Sequence, residues 1–182
     1  MTLAPPHINA SLSRQLRRPR RHESPDPLAT LDQVPWARIW HWYGPAGEIP
    51  DAIRGLERSD HERCVDRLAA CIEHQDGFSH AGALAIPFMC ELLLAGRVRS
   101  PSALATLMEV FQRTADDVIL SSPPHEGTTF DALLAPDRVS PAPIPLVDRG
   151  FPPPPGHEPL WYDHVELAVF VADELAWRLP DL

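Results

Sequence analysis

The distribution of proline constrains this chain more than any other feature of its sequence. Its 182 residues include 22 prolines, about twice the usual share of ~5%. The prolines crowd into the first 50 residues and into residues 121–159. Because proline removes a backbone donor and clashes with the preceding helical turn, both stretches are poor helix formers. The remainder of the chain is therefore expected to carry the fold.

The segment after Val34 is rich in aromatic residues and predicts two short helices. Trp36 and Trp40 share a face of the first helix, which is stopped by the turn at residues 44–47. Pro50 takes a plausible first position in the second helix, which is predicted over residues 49–58.

Three longer amphipathic helices are predicted next. Ser59 and Glu62 form a capping-box signature, which places the start of one helix at residue 60 and its end near residue 73. A second helix is expected over residues 79–95, with its apolar side chains on one side. A third opens at Ser100 and Pro101, and its buried stripe reaches Val118.

The two ends of the chain and the second proline-rich stretch complete the predicted organisation. Residues 1–30 predict a flexible Arg- and Pro-rich tail, although the arginines are also typical of a transit peptide or a nucleic-acid arm. Residues 121–159 predict a long loop, and residues 161–178 a last helix that packs on the others. We therefore expect an all-α fold, with a single helical domain over residues 31–182.

The charge balance limits the class of partner. The formal net charge is −9, and residues 31–182 hold 11 Arg against 23 Asp plus Glu, a formal −12. Such a body attracts basic partners and disfavours nucleic acid and anionic lipid. No stretch has the ~18 to 20 apolar residues needed to span a bilayer, and the N-terminus lacks a secretory signal. The sequence predicts a cytoplasmic protein.

Few residues suggest chemistry. Cys64, Cys71 and Cys90 are an odd number in apolar surroundings, which favours reduced core thiols over a disulfide framework. The sequence has no nucleophile elbow, phosphate loop, dinucleotide fingerprint or zinc motif. We predict no catalytic, cofactor or metal site. An enzyme built from scattered residues, such as Cys90 with a histidine, remains an open alternative.

Aromatic and charged residues are candidates for contact with a partner. Tryptophans supply much contact area at low entropy cost, although core packing is the alternative for each. Asp116 and Asp117 lie near the end of a predicted helix, where negative charge is unfavourable unless an arginine or a partner compensates it, although solvated carboxylates are the simpler explanation. His74 and Asp76 lie on a predicted turn between helices, where favourable terminus electrostatics and capping are the simpler explanation. The predicted partner-binding residues are Trp36, Trp40, His74, Asp76, Asp116, Asp117 and Glu126.

Part of the sequence resembles HEAT-repeat-like bacterial helical proteins, including small ones found beside polymorphic toxins as presumed immunity proteins. The resemblance covers about residues 34–95, and Asp76 and the proline-rich insertion depart from the pattern. The matching elements are Trp36, Tyr43-Gly44, Ile49-Pro50, His74-Gln75, Ala85-Ile86-Pro87-Phe88 and Glu91-Leu92-Leu93.

The resemblance implies a short α-solenoid of antiparallel helix pairs that presents an extended binding surface. It also implies a non-catalytic immunity protein that neutralises a cognate toxin by occluding it. A cationic toxin domain, for example a nuclease, would match the acidic body. The alternative is a scaffold or adaptor without inhibitory activity.

Overall fold

The computed structural model describes residues 26–58, 61–73, 78–121, 140–141, 160–161 and 164–178. Within these ranges the chain forms five α-helices and two short antiparallel β pairs, so the fold is all-α. The helices are α1 (Ile49–Gly55), α2 (His61–Ile72), α3 (His80–Leu94), α4 (Pro101–Ser121) and α5 (His164–Arg178). Each corresponds to a helix predicted from the sequence.

The aromatic segment before α1 is not the predicted helix. Two 3₁₀ turns, Leu31–Gln33 and Trp36–Arg38, lead into β1 (Trp40–His41), which pairs with β2 (Gly44–Pro45). Aromatic side chains at 40–43 favour extended backbone over helix. Gly44 also adopts a φ of 144°, a conformation that side-chain-bearing residues rarely take. The prediction of a helix over this segment is therefore wrong.

The second β pair lies close to the last helix. Strand β3 (Ser140–Pro141) pairs antiparallel with β4 (Leu160–Trp161). Trp161 was expected to open the last helix, but α5 begins at His164. The prediction that this helix packs on the earlier ones is confirmed, since α5 lies against α3 and α4.

Local capping signals fix both ends of α3. The Ser79 hydroxyl accepts the Gly82 amide proton at 2.8 Å and donates to the Cys71 carbonyl at 2.5 Å. At the other end Gly96 has a φ of 65°, and its amide donates to the Leu93 carbonyl at 2.9 Å. Together with the bond from Arg97 to Leu92 at 2.9 Å, this is a Schellman motif. The predicted stop at Gly96 is confirmed.

Helices α2 and α3 approach each other unusually closely at Gly82. A Cβ atom at this position would lie 2.6 Å from the Ile72 Cα and 3.1 Å from the Cys71 carbonyl oxygen. Both atoms belong to the backbone of α2, so neither can rotate away. Gly82 is therefore required by space rather than by its own backbone conformation.

Helix α3 is the centre of the core. It packs against α1, α2, α5 and β1, and its residues from His80 to Leu93 are all buried. The prediction of an amphipathic helix with one apolar side is wrong here, because neighbouring elements cover α3 on several sides. By contrast, α2 and α4 each expose a polar face, as predicted.

Several predictions concern residues outside the described ranges. These include the starting cap at 59–60, most of the tail and most of the loop over 121–159. Residues 26–30 form a turn in which Leu28 donates to the Asp26 carboxylate at 2.9 Å and packs against the core. Across the part of the chain that the structure describes, no helix is long and apolar enough to cross a membrane.

Candidate functional site

Two adjacent aromatic residues are displayed at the turn between β1 and β2. Trp42 is 40% exposed and Tyr43 is 67% exposed. Within the described ranges they are the large hydrophobic residues that remain exposed. We refer to residues 41–44 as the hairpin tip. Exposed aromatics of this kind are enriched at sites of protein contact.

His41 holds the hairpin tip in position. Its Nδ1 accepts the Tyr43 backbone amide proton at 3.2 Å, and its Nε2 lies 3.0 Å from Oε1 of Glu48. An amide can only donate, so the ring proton is on Nε2 and is donated to the carboxylate. The His41 and Tyr43 rings also contact each other, with centroids 5.9 Å apart.

The base of the hairpin is anchored in the core. The Ala46 amide donates to the Ile39 carbonyl at 2.8 Å, and the Ile49 amide donates to Ala46 at 3.0 Å. Ile39, Ala46 and Ile49 are fully buried, and β1 packs against α3. The tip is thus short and supported by the most buried helix, which gives it little freedom to move.

The electrostatic surroundings of the tip are negative. The sequence has no Lys or Arg from Ile39 to Ile53, whereas it places Glu48 and Asp51 there. The Asp51 side chain is 87% exposed and lies 3.9 Å from Arg54. Arg54 itself donates to both carboxylate oxygens of Asp32 at 2.6 Å. The Arg54 guanidinium is therefore already engaged, and the carboxylates near the tip suit a cation.

The two tryptophans predicted to contact a partner occupy different environments. Trp36 is only 4% exposed, its indole N–H donates to the Leu31 carbonyl at 2.8 Å, and its ring meets Phe88 edge-on. It is a core residue in this structure, which corrects its assignment as a surface anchor. Trp40, on β1, is half-buried. The exposed aromatics are instead Trp42 and Tyr43.

The predicted carboxylates do not assemble into one site in the described structure. Asp116 is exposed on α4 and accepts from Gln112 of the same helix at 3.1 Å. Because α4 continues to Ser121, Asp116 lies more than a turn before the helix end, where the dipole effect is weak. The side chain of Asp117, and all of His74, Asp76 and Glu126, lie outside the described residues.

Many surface charges on the helices are already paired. Arg97 binds Glu57 at 2.7 Å, and Arg113 binds both Glu73 and Glu109 at 2.9 Å. In these ion pairs, positive and negative charges compensate each other on the surface formed by α2, α4 and the turns before them. The tip differs from this background, since it combines exposed aromatic rings with the partly exposed carboxylate of Glu48.

A second charged cluster is buried between α3 and α5. Arg178 has a side chain only 1% exposed and donates to Glu91 of α3 and to Glu174, the latter at 2.9 Å. Burial would lower the pKa of Arg178, but the two carboxylates raise it above its usual range. The guanidinium stays charged, and this buried triad joins the two helices.

Two of the three buried cysteines, Cys71 and Cys90, have strongly raised thiol pKa values. Burial raises the pKa of the Cys90 thiol to about 12, and burial likewise raises that of Cys71 to about 12. A thiol of this kind has almost no nucleophilic thiolate near neutral pH. In the described ranges, no group of three or more His, Cys, Asp or Glu side chains is arranged to hold a metal ion.

Four residues of the site are absent from the predicted partner-binding residues: His41, Trp42, Tyr43 and Glu48. The signal that could have found them is the aromatic pair directly before Gly44-Pro45, which is a turn sequence flanked by strand-forming residues. Comparison of the chain with protein-family models, with curated proteins and with solved structures found no match. The hairpin tip and the charge distribution are thus the basis for inferring function.

Proposed function

We propose that this chain is a non-catalytic protein-binding module, an immunity protein that neutralises a bacterial toxin by occluding it. The observation that carries this proposal is the exposed pair Trp42 and Tyr43 on a rigid hairpin. Rigid aromatic side chains give a large contact area for little loss of conformational entropy. A short hairpin can enter a concave active site, which is the geometry that occlusion requires.

The proposed partner is a cationic toxin domain. Residues 31–182 carry a formal −12, and the tip adds a local negative potential beside its aromatic rings. A nuclease must itself attract phosphate, so its active site is positively charged and would be steered to such a surface. The sequence resemblance to immunity proteins over residues 34–95 supports the same assignment.

The proposed architecture is a short α-solenoid of stacked helix pairs. Contacts of α1 with α2, of α1 with α3 and of α2 with α4 are those that stacking requires. Helix α5 would then close the array against α3 and α4. We further place the protein in the cytoplasm, where its three buried free cysteines would stay reduced.

Co-expression with the product of a neighbouring reading frame tests this proposal. The wild-type chain should rescue growth from a toxic neighbour, and the double variant Trp42→Ala/Tyr43→Ala should fail to do so. Gln112→Ala, an exposed change on α4, should rescue like wild type. Circular dichroism should show that all three chains are folded.

Binding measured by co-elution separates the two candidate functions. Co-elution without rescue would identify a scaffold or adaptor rather than an inhibitor. If the chain neither co-elutes with any encoded neighbour nor rescues growth from one, the proposal is overturned. If the double variant still rescues growth, the protein is an inhibitor, but the hairpin tip is not part of its binding surface.

A further inference from the structure

We propose that the hairpin tip binds an arginine side chain of the protein partner, with Trp42 and Tyr43 against the guanidinium and Glu48 as its counter-ion. This inference rests on the proposed function only in taking the ligand to be part of a protein. It names the chemistry that the tip recognises, which applies whether or not binding inhibits the partner.

The first argument is that Glu48 retains its negative charge at the surface. Its carboxylate accepts a hydrogen bond from Nε2 of His41, and the Tyr43 amide donates a hydrogen bond to Nδ1 of the same ring, so this imidazole is neutral. A neutral imidazole does not compensate the carboxylate. The Glu48 side chain is 35% exposed, and only its Oε1 is used in the bond to His41. A carboxylate can accept several further bonds from an incoming donor.

The second argument is that the carboxylate and the aromatic face meet at one residue. The His41 ring binds Glu48 at 3.0 Å and contacts the Tyr43 ring at a centroid distance of 5.9 Å. His41 is itself nearly buried, with a side chain 9% exposed. It therefore acts as a fixed support that keeps an anionic group and a π face side by side.

The third argument selects arginine among possible ligands. An aromatic face attracts cations through its quadrupole, and a guanidinium can stack on the ring while donating to a carboxylate. An ammonium is more strongly hydrated and lacks a planar face to stack. Anions are disfavoured, because Glu48 and Asp51 are the charged residues between Ile39 and Ile53.

Titration of the full chain with short peptides tests this inference directly. The probes are hexa-arginine, hexa-lysine and hexa-glutamate, with affinity measured by isothermal titration calorimetry and with amide and indole shifts followed by NMR. Hexa-arginine should bind more tightly than hexa-lysine and should shift the Trp42 indole and Tyr43 amide signals. Hexa-glutamate should not bind.

Four variants locate the effect. Tyr43→Ala and Glu48→Gln should each weaken hexa-arginine binding about two- to fivefold, the range expected for an exposed cation–π contact. Tyr43→Phe keeps the ring and should bind like wild type. Asp66→Asn removes an exposed carboxylate from α2 instead and should also bind like wild type. Thermal melting should show that each variant is folded.

Equal loss of binding in Asp66→Asn and Glu48→Gln would show attraction to general negative charge and would overturn the inference. Equal affinity for arginine and lysine peptides would also overturn it. If arginine binding maps to the tip but no toxin is neutralised, the inference stands and the proposed function fails. If a toxin is neutralised but its binding does not depend on Tyr43 and Glu48, the proposed function stands and the inference fails.

Discussion

The buried triad and the hairpin tip use similar groups for different purposes. In the triad, Arg178 contacts two carboxylates inside the core, and its charge is compensated within the chain. At the tip, Glu48 meets a neutral imidazole, and the carboxylate keeps its charge beside exposed rings. Burial and charge compensation therefore mark the first cluster as structural and the second as available for recognition.

This contrast has an energetic basis. A buried charge without a partner costs several kcal/mol, so the triad must be complete for the fold to be stable. A solvated charge costs little when unpaired, so a surface can hold Glu48 without loss of stability. Substitutions in the two regions should accordingly separate stability from binding.

The largest expected effect is on the triad. Arg178→Met should lower the free energy of unfolding by about 3–5 kcal/mol, because it leaves Glu91 and Glu174 buried without their counter-ion. Urea denaturation followed by circular dichroism measures this. Arg113→Met, which breaks only exposed ion pairs, should cost about 1 kcal/mol or less.

Replacement of the whole triad tests whether uncompensated buried charge causes this loss of stability. A variant carrying Arg178→Met, Glu91→Met and Glu174→Leu should recover most of the lost stability, since no uncompensated charge is then buried. A single Arg178→Met variant as stable as wild type would mean that the triad is not structural. The comparison with the tip would then lose its basis.

The next effect comes from the close approach of α2 and α3. Gly82→Ala should cost about 1–3 kcal/mol, because the new methyl group meets the α2 backbone. Gly47→Ala is the matched control near the hairpin, where the nearest atom, the Ala37 Cα, is at 4.0 Å. Chemical denaturation of both variants should show a large difference, and similar stabilities would contradict the tight helix contact.

The buried thiols should make stability depend on alkaline pH. Their folded-state pKa of about 12 exceeds the ordinary value of 9.0, so the native state holds protons that the unfolded chain has lost. Stability should be complete below about pH 9 and fall toward pH 12, by about 1.4 kcal/mol per pH unit for each thiol.

Denaturation curves recorded across this range provide the measurement. Cys71→Ala should flatten the slope between pH 9 and 12, whatever its effect on the stability at neutral pH. Native Cys71 and Cys90 should also resist a thiol-specific reagent at pH 8. Rapid labelling of either residue in the folded state would show that the core is more open than described.

The smallest effect on stability is expected at the tip. Trp42→Ala should change the free energy of unfolding by about 0.5 kcal/mol or less, since the side chain is partly exposed at a turn. Thermal and urea unfolding provide the test. A loss above about 2 kcal/mol, comparable with a core substitution, would identify Trp42 as a packing residue and not as a recognition residue.

The existence of the five helices, both ends of α3 and the start of α4 were readable from the sequence because their signals are local. Ser79, Gly96 and the Ser100-Pro101 pair each act through backbone groups within a few residues, so a short window contains the information. The all-round burial of α3 was not readable. It depends on how many elements surround the helix, and periodicity within one segment does not report that.

The candidate site was predicted only in part, for two reasons. The aromatic pattern after Val34 was interpreted with helical spacing, whereas a 3₁₀ turn places Trp36 in the core and the following hairpin exposes Trp42. Long-range pairs were also invisible: Glu91 and Arg178 are 87 residues apart in sequence. Neither partner carries a local signature of the other.

The enclosure of α3 limits how this sequence can drift over time. Fourteen consecutive residues, His80 to Leu93, are all buried there, so none can change size without disturbing a neighbour. The outward positions of α2 and α4 have no such restriction and will diverge faster. Distant homologues of this protein should thus be sought through the segment from Ser79 to Gly96, because its caps and its buried side chains tolerate the fewest substitutions.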